Sequence, residues 1–264
     1  MTPDSIKNTN TDATYDIFEG MTSISALINS VSSNKSDRKI TEIFYSTDCE
    51  KKKQREISFL KNKSRQINFR LTGVNPDYLN SVTSGKTHGG FAAVATKRSF
   101  LKPCDSIIKP DGFYALIEGI EDPYNFGYSV RSLYAAGVDG LVLAPRNWME
   151  FSGTVAKSSA GTSELLEIME DEPSEAVLHF KKKGYRIICG GIRDSVSLNE
   201  ADFGGAILLV IGGEKRGISR KILDLADTVV RIDYSRKFNG SLPCCCAVSV
   251  MAFAIAQKRG FNSF

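Results

Sequence analysis

The chain is poor in metal ligands and in phosphate-binding signatures. Of its 264 residues only His88 and His179 are histidine, and its six cysteines form no C-x-x-C pair. Zinc sites are built on such spacings, so no metal centre is expected. Cys244, Cys245 and Cys246 would point in different directions on a helix and could not all hold one ion. The cysteines read instead as small buried residues of a reducing compartment. No G-x-G-x-x-G precedes a helix and there is no Walker lysine motif, which removes the dinucleotide fold and the P-loop. No apolar run approaches the ~20 residues of a membrane span. No signal-peptide pattern opens the sequence, so a cytoplasmic location without a membrane partner is expected.

Hydrophobic residues are 42% and charged residues 24%, which is ordinary for a globular chain able to hold one large or two modest domains. The net charge of +4 conceals an asymmetry. Residues 1–110 carry 17 Lys and Arg against 11 Asp and Glu, whereas the remainder carries 17 against 19. A polyanion held mainly by the first part is the simplest consequence.

Residues 1–15 are polar and read as a tail. Residues 16–97 read as a small α/β unit. Met21, Ile24, Leu27 and Ile28 have helical spacing, 40–45 reads as a strand, and 48–66 reads as a helix. That helix would carry Lys51, Lys52, Lys53 and Arg55, then Lys61, Lys63 and Arg65, a density suited to phosphate contact. His88, in a glycine-rich turn before the strand 91–95, is a candidate loop contact to the same phosphates. Residues 98–111, with two prolines, read as a linker. From 112 to 264 strands and helices alternate, which predicts a parallel sheet covered on both faces. Its dominant feature is the unbroken apolar run 207–211, ending at Gly212-Gly213 and followed by Glu214. Glycine-ended strands at 190–191 and 212–213 predict a ligand held by backbone groups at the strand tips.

Three stretches stand in a telling order. Asn125-Phe126-Gly127 with Arg131 follows a strand. Leu209-Val210-Ile211-Gly212-Gly213-Glu214-Lys215-Arg216-Gly217-Ile218-Ser219 comes next. Val230-Arg231-Ile232-Asp233, then Asn239-Gly240-Ser241-Leu242-Pro243, precede a final apolar helix. Together they resemble the three motifs of the SpoU (TrmH) family of RNA methyltransferases, and Lys157-Ser158-Ser159-Ala160-Gly161 resembles that family's intermediate segment. The resemblance extends to the first unit, which looks like the small α/β/α substrate-binding domain that many members carry.

The resemblance implies a SPOUT-type parallel-sheet domain tied in a deep trefoil knot, a homodimer, and S-adenosylmethionine as methyl donor. The implied activity is methyl transfer to a ribose 2′-hydroxyl of rRNA or tRNA. By motif position, Leu143, Ala144, Gly191, Ile211, Gly212, Gly213, Ile232 and Leu242 would bind the cofactor. Asn125, Arg131, Glu214 and Ser241 would serve catalysis. Arg131 would grip a phosphate or stabilise an alkoxide. Asn125 would orient Arg131 or the ribose, and Glu214 would hold its loop or pair with the arginine. Pro243 departs from the family's usual Ser-Leu-Asn. The role of that asparagine is then absent or filled by Asn239. The alternative is a non-catalytic RNA-binding or ribosome-assembly protein that kept the fold.

Overall fold

Strand pairing separates the chain into a four-stranded and a seven-stranded sheet. The structure, a computed structural model, describes residues 15–84, 87–104, 106–145 and 152–260, so residues 1–14 of the tail expected at 1–15 lie outside the described residues, and Tyr15 opens a strand instead. In chain order the first elements are β1 (Tyr15–Glu19), α1 (Gly20–Ser32), β2 (Ile40–Ser46), α2 (Gln54–Ile67), β3 (Arg70–Val74), α3 (Pro76–Val82) and β4 (Phe91–Thr96). They are followed by β5 (Phe113–Glu118), α4 (Pro123–Ala135), β6 (Gly140–Leu143), α5 (Ser152–Ser158), α6 (Thr162–Leu165), β7 (Glu167–Glu170) and α7 (Pro173–Lys182). The last are β8 (Arg186–Gly190), β9 (Val196–Ser197), β10 (Ile207–Gly212), α8 (Arg220–Leu223), β11 (Thr228–Arg231) and α9 (Cys244–Arg259).

The first unit runs to Ser99 and takes in the later segment that ends at Leu165. Its sheet has the order β1-β4-β2-β3, with β4 antiparallel to β1 and β2 and with β3 parallel to β2. One face buries Phe18, Ile24, Leu27, Ile43, Leu60 and Phe91. The other buries Phe44, Leu79 and Val82. This is the α/β/α layering expected. Strand β1 was not anticipated, because its inward positions hold Asp16 beside Phe18 and so spoil the apolar alternation.

Helix α2 begins at Gln54, six residues later than expected. Lys51, Lys52 and Lys53 lie in turns before it, with the amides of Lys52 and Lys53 both bonded to the Cys49 carbonyl. Three cations in a first turn would oppose the positive end of the helix dipole, whereas the actual first turn holds Glu56. The helix ends at Asn68 in a left-handed conformation, φ 56°, which delays β3 to Arg70.

Helices α5 and α6 pack with this unit, not with the domain at 112–264 to which the sequence pattern assigns them. The reason is a set of close pairings. Arg38 Nη1 lies 2.5 Å from Asp16, and its Nε lies 2.9 Å from Glu164 of α6, with all three side chains no more than 4% exposed. Burial pushes the Asp16 carboxyl up, and Arg38 offsets part of that rise. A Cβ on Gly161 would stand 2.5 Å from the Ala26 Cβ, and one on Gly153 would stand 2.1 Å from the Ile17 oxygen. Lys157 Nζ reaches Glu19 at 2.6 Å and Thr87 Oγ1 at 2.7 Å.

The second unit begins at Phe100 and resumes at Leu166. Its strands run parallel in the order β7-β6-β5-β10-β8-β11-β9. Strand β10 is central, and in chain order it inserts between β5 and β8 after both are placed. Ile207 to Ile211 are all buried, as a strand covered on both faces requires. Tyr114, Leu116, Leu208 and Val210 pack with Val177 and Phe180 of α7. Helix α9 packs against β10 and α4. Asp122 and Glu172 cap α4 and α7, each followed by a proline at the first helical position. From Phe100 on, the expected linker is part of this unit. Ile108 is buried in its core, and Leu101 bridges Met169 beside β7. Helix α8 is shorter than expected because the chain tightens into three-residue hydrogen bonds after Leu223.

Arg38→Met would leave two buried carboxylates without a counter-charge. Such losses cost about 3–5 kcal/mol. Denaturant unfolding of the first unit should show that loss, and a change below about 1 kcal/mol would remove the ion triad from its stability.

Candidate active site

Strands β8 and β10 end side by side in glycine pairs, and the gap beyond them is a cavity of about 430 Å³. That size suits a small ligand or cofactor. Gly190, Gly191, Ile211, Gly212, Gly213 and Glu214 line one part of it, and Ser241, Leu242, Cys244, Ala247 and Met251 another. Side chains are excluded at the glycines by contact. A Cβ on Gly212 would lie 2.2 Å from the Gly217 carbonyl carbon, and one on Gly213 would lie 2.0 Å from the Gly119 oxygen. The loop closes on itself through Gly217 N–H to Gly213 O at 3.0 Å, with Gly217 at φ +63°. Glu118 braces it from β5, accepting Gly213 N–H on its carbonyl at 2.5 Å and Ser219 N–H on its carboxylate at 2.8 Å.

At the mouth, Asn125 Nδ2 donates to Glu214 Oε1 at 2.8 Å. Asn125 sits in the first turn of α4, where Asp122 accepts its backbone N–H at 2.7 Å. The stretches around residues 125 and 214, far apart in sequence, therefore meet through one hydrogen bond. Arg131 lies on the same helix, exposed, with no hydrogen bond or ion pair among the described residues. The expected alternative of a Glu214–Arg131 pair is not observed, because the carboxylate is taken by Asn125. Ser241 is exposed and lines the same cavity as Glu214. Leu242 is held by its N–H to Tyr234 Oη at 3.2 Å.

Of the cofactor residues expected, Gly191, Ile211, Gly212, Gly213 and Leu242 line the cavity. Leu143 and Ala144 do not. They end β6, which β5 separates from β10, and Leu143 is buried between Ile117 and Glu170. Ile232, just past β11, is also outside the lining. Sequence reasoning missed Cys244, Ala247 and Met251, whose helical spacing could have revealed one face of α9. Burial pushes the Cys244 thiol up to about 12, so it stays protonated and donates to Gly212 O at 3.2 Å. All six cysteines are free. Only Cys189 and Cys244 are fully buried, and Cys246 is exposed.

In the first unit, Lys51, Lys52 and Arg55 are exposed, and their side chains have no ion-pair partner among the described residues. Lys53 is half-buried, with its ammonium 5.4 Å from the Phe91 ring centroid. His88 is not a surface contact. It is 7% exposed, accepts Gly90 N–H on Nδ1 at 3.0 Å, and pairs through Nε2 with Asn80 Oδ1 at 3.1 Å. Burial lowers its pKa, so it is a neutral ring that fixes the glycine turn.

A parallel α/β unit with a cofactor-sized cavity at glycine-ended strand tips defines the class of fold. Residues 112–253 match the SpoU rRNA Methylase family, and the chain belongs to that family. A Staphylococcus saprophyticus protein assigned to the TrmH family of tRNA/rRNA methyltransferases is 31% identical over 147 residues, 55% of this chain. That match spans 59% of the relative's own length, less than two thirds. An S-adenosylmethionine-bound rRNA methyltransferase from Sinorhizobium meliloti superposes with TM-score 0.78 at 16% identity, covering 97% of this chain and 94% of that one. An RNA 2′-O ribose methyltransferase superposes with TM-score 0.77 at 17% identity, covering 97% and 95%. At these identities the structural likeness concerns the fold.

Gly213→Ala should force the β10 tip away from Gly119. Overpacking of this kind costs about 1–3 kcal/mol. Thermal unfolding should detect it, and an unchanged midpoint would mean the tip is not tightly threaded.

Proposed function

We propose that the protein transfers a methyl group from S-adenosylmethionine to a ribose 2′-hydroxyl of rRNA or tRNA. The observation that carries this reading is the Asn125–Glu214 hydrogen bond, which brings the first and second family motifs together at the cavity mouth. S-adenosylmethionine supplies an electrophilic methyl on a sulfonium whose sulfur leaves as a neutral thioether. The cavity suits it. Ile211, Leu242, Val229 and Met251 offer apolar surface, and the glycines at 191, 212 and 213 leave room at the strand tips for a flat purine ring. The insertion of β10 and the close approach of Gly213 to Gly119 support the deep trefoil knot of such domains.

Arg131 acts on the RNA. A guanidinium stays protonated, so its work is to grip the phosphate beside the target ribose and stabilise the developing alkoxide. The hydroxyl proton passes to water at the mouth, where Glu214 and Ser241 are both exposed. Holding hydroxyl and methyl donor in line supplies much of the rate, since orientation alone contributes ~7–11 kcal/mol. In the first unit Lys51, Lys52 and Arg55 neutralise RNA phosphates. Exposed Tyr128, Val250 and Phe253 on α4 and α9 support a homodimer formed through the second unit. The free cysteines fit a reducing, cytoplasmic setting.

Pro243 favours the second reading, a non-catalytic RNA-binding protein. Incubating the protein with S-adenosylmethionine and RNA from cells lacking the gene, then mapping 2′-O-methyl sites, separates the two. One new site should appear, and Arg131→Ala should abolish it while S-adenosylmethionine affinity measured by calorimetry stays the same. Cofactor binding without any methylation would favour the second reading, and full activity in the variant would remove Arg131 from the mechanism.

A further inference from the structure

The Asn125 side chain has two partners from distant segments. Its Nδ2 donates to Glu214 Oε1 at 2.8 Å, and its Oδ1 lies 3.5 Å from Sγ of Cys245 in the first turn of α9. An ionised carboxylate only accepts, so the amide nitrogen has to face Glu214. The amide oxygen then has to face the sulfur, and only a thiol that still holds its proton can satisfy it. Burial, with Cys246 beside it, raises the Cys245 thiol above its ordinary value and keeps the donor form.

The backbone at Cys245 is fixed as well. Its carbonyl accepts Ser249 Oγ at 2.7 Å, and Ser249 Oγ also lies 2.7 Å from Ser132 Oγ on α4. Two turns of α9 are thus tied to the helix that carries Asn125. Pro243, at the N-cap of α9, has no side-chain donor to offer. Asn239, the other residue considered for that role, is exposed, with no hydrogen bond among the described residues.

We infer that Cys245 is a positioning residue for the proposed methyl transfer: its thiol sets the orientation of the Asn125 amide, which in turn holds Glu214 at the cavity mouth. The inference rests on reading this cavity as a methyl-transfer site. It gives the third motif a polar contact to the first that needs no asparagine at 243. A serine would keep the donor at 245, whereas an alanine would leave Oδ1 unpaired and free the amide to rotate.

The test compares Cys245→Ala and Cys245→Ser with the native chain. Two readouts are used. The first is tritium transfer from S-adenosylmethionine to RNA extracted from cells lacking the gene. The second is the side-chain amide signal of Asn125 in protein labelled with 15N-asparagine, identified by its loss in Asn125→Asp. Cys245→Ala should lower kcat about tenfold, the scale of one hydrogen bond, with the KM for S-adenosylmethionine unchanged. It should also shift or merge the Asn125 amide pair. Cys245→Ser should restore both. An unmoved amide signal in Cys245→Ala, a loss that falls on KM instead of kcat, or a serine variant as impaired as the alanine one would overturn the assignment. If the native protein transfers no methyl group, the functional reading fails, and the amide spectrum alone decides the positioning role.

Discussion

The second unit depends on how closely its backbone approaches itself at the tip of β10. Gly212 lies against Gly217, and Gly213 lies against Gly119, at separations no Cβ could occupy. These contacts place Glu214 at a turn that cannot relax without moving β5. They also keep side chains off the β10 tip where it lines the cavity. A central strand buried on both faces makes the turn rigid, and a rigid turn is what a site built from backbone groups requires. Part of the cavity lining and the fold's tightest packing are therefore the same few residues.

The first unit rests on a different interaction. Arg38 satisfies two carboxylates in an environment with almost no water, and one of them belongs to α6, far away in sequence. Removing water from three charges is costly, so the arrangement holds only because the guanidinium reaches both acids at once. Gly153 and Gly161 let α5 and α6 approach near enough for that geometry. A segment that resembles part of the methyltransferase domain is in this way a structural member of the first unit.

What was legible in the sequence follows from where the signal was local. The run Ile207 to Ile211 announces a buried strand by itself, and Gly212-Gly213 announces its turn. The pattern at 125–136 announces α4, although the helix starts two residues earlier, at Pro123. By contrast, β1 is hidden because Asp16 faces inward and is understood only once Arg38 is known to meet it. His88 looked available beside two glycines, yet Asn80 and the Gly90 amide occupy both ring nitrogens. The contact between Cys245 and Asn125 joins residues 120 positions apart, and no periodicity encodes it. Leu143 and Ala144 were placed by motif position, which does not reveal that β5 stands between them and the cavity.

The central claim is that the methyl donor proposed above binds against the glycine-ended tips of neighbouring strands. Its most direct measurement is a titration of 15N-glycine-labelled protein with S-adenosylhomocysteine, the demethylated form of that donor. The account predicts shifts confined to the glycines at 190, 191, 212, 213 and 217, with Gly153 and Gly161 unmoved. No shift at saturating ligand, or shifts confined to the first unit, would contradict it.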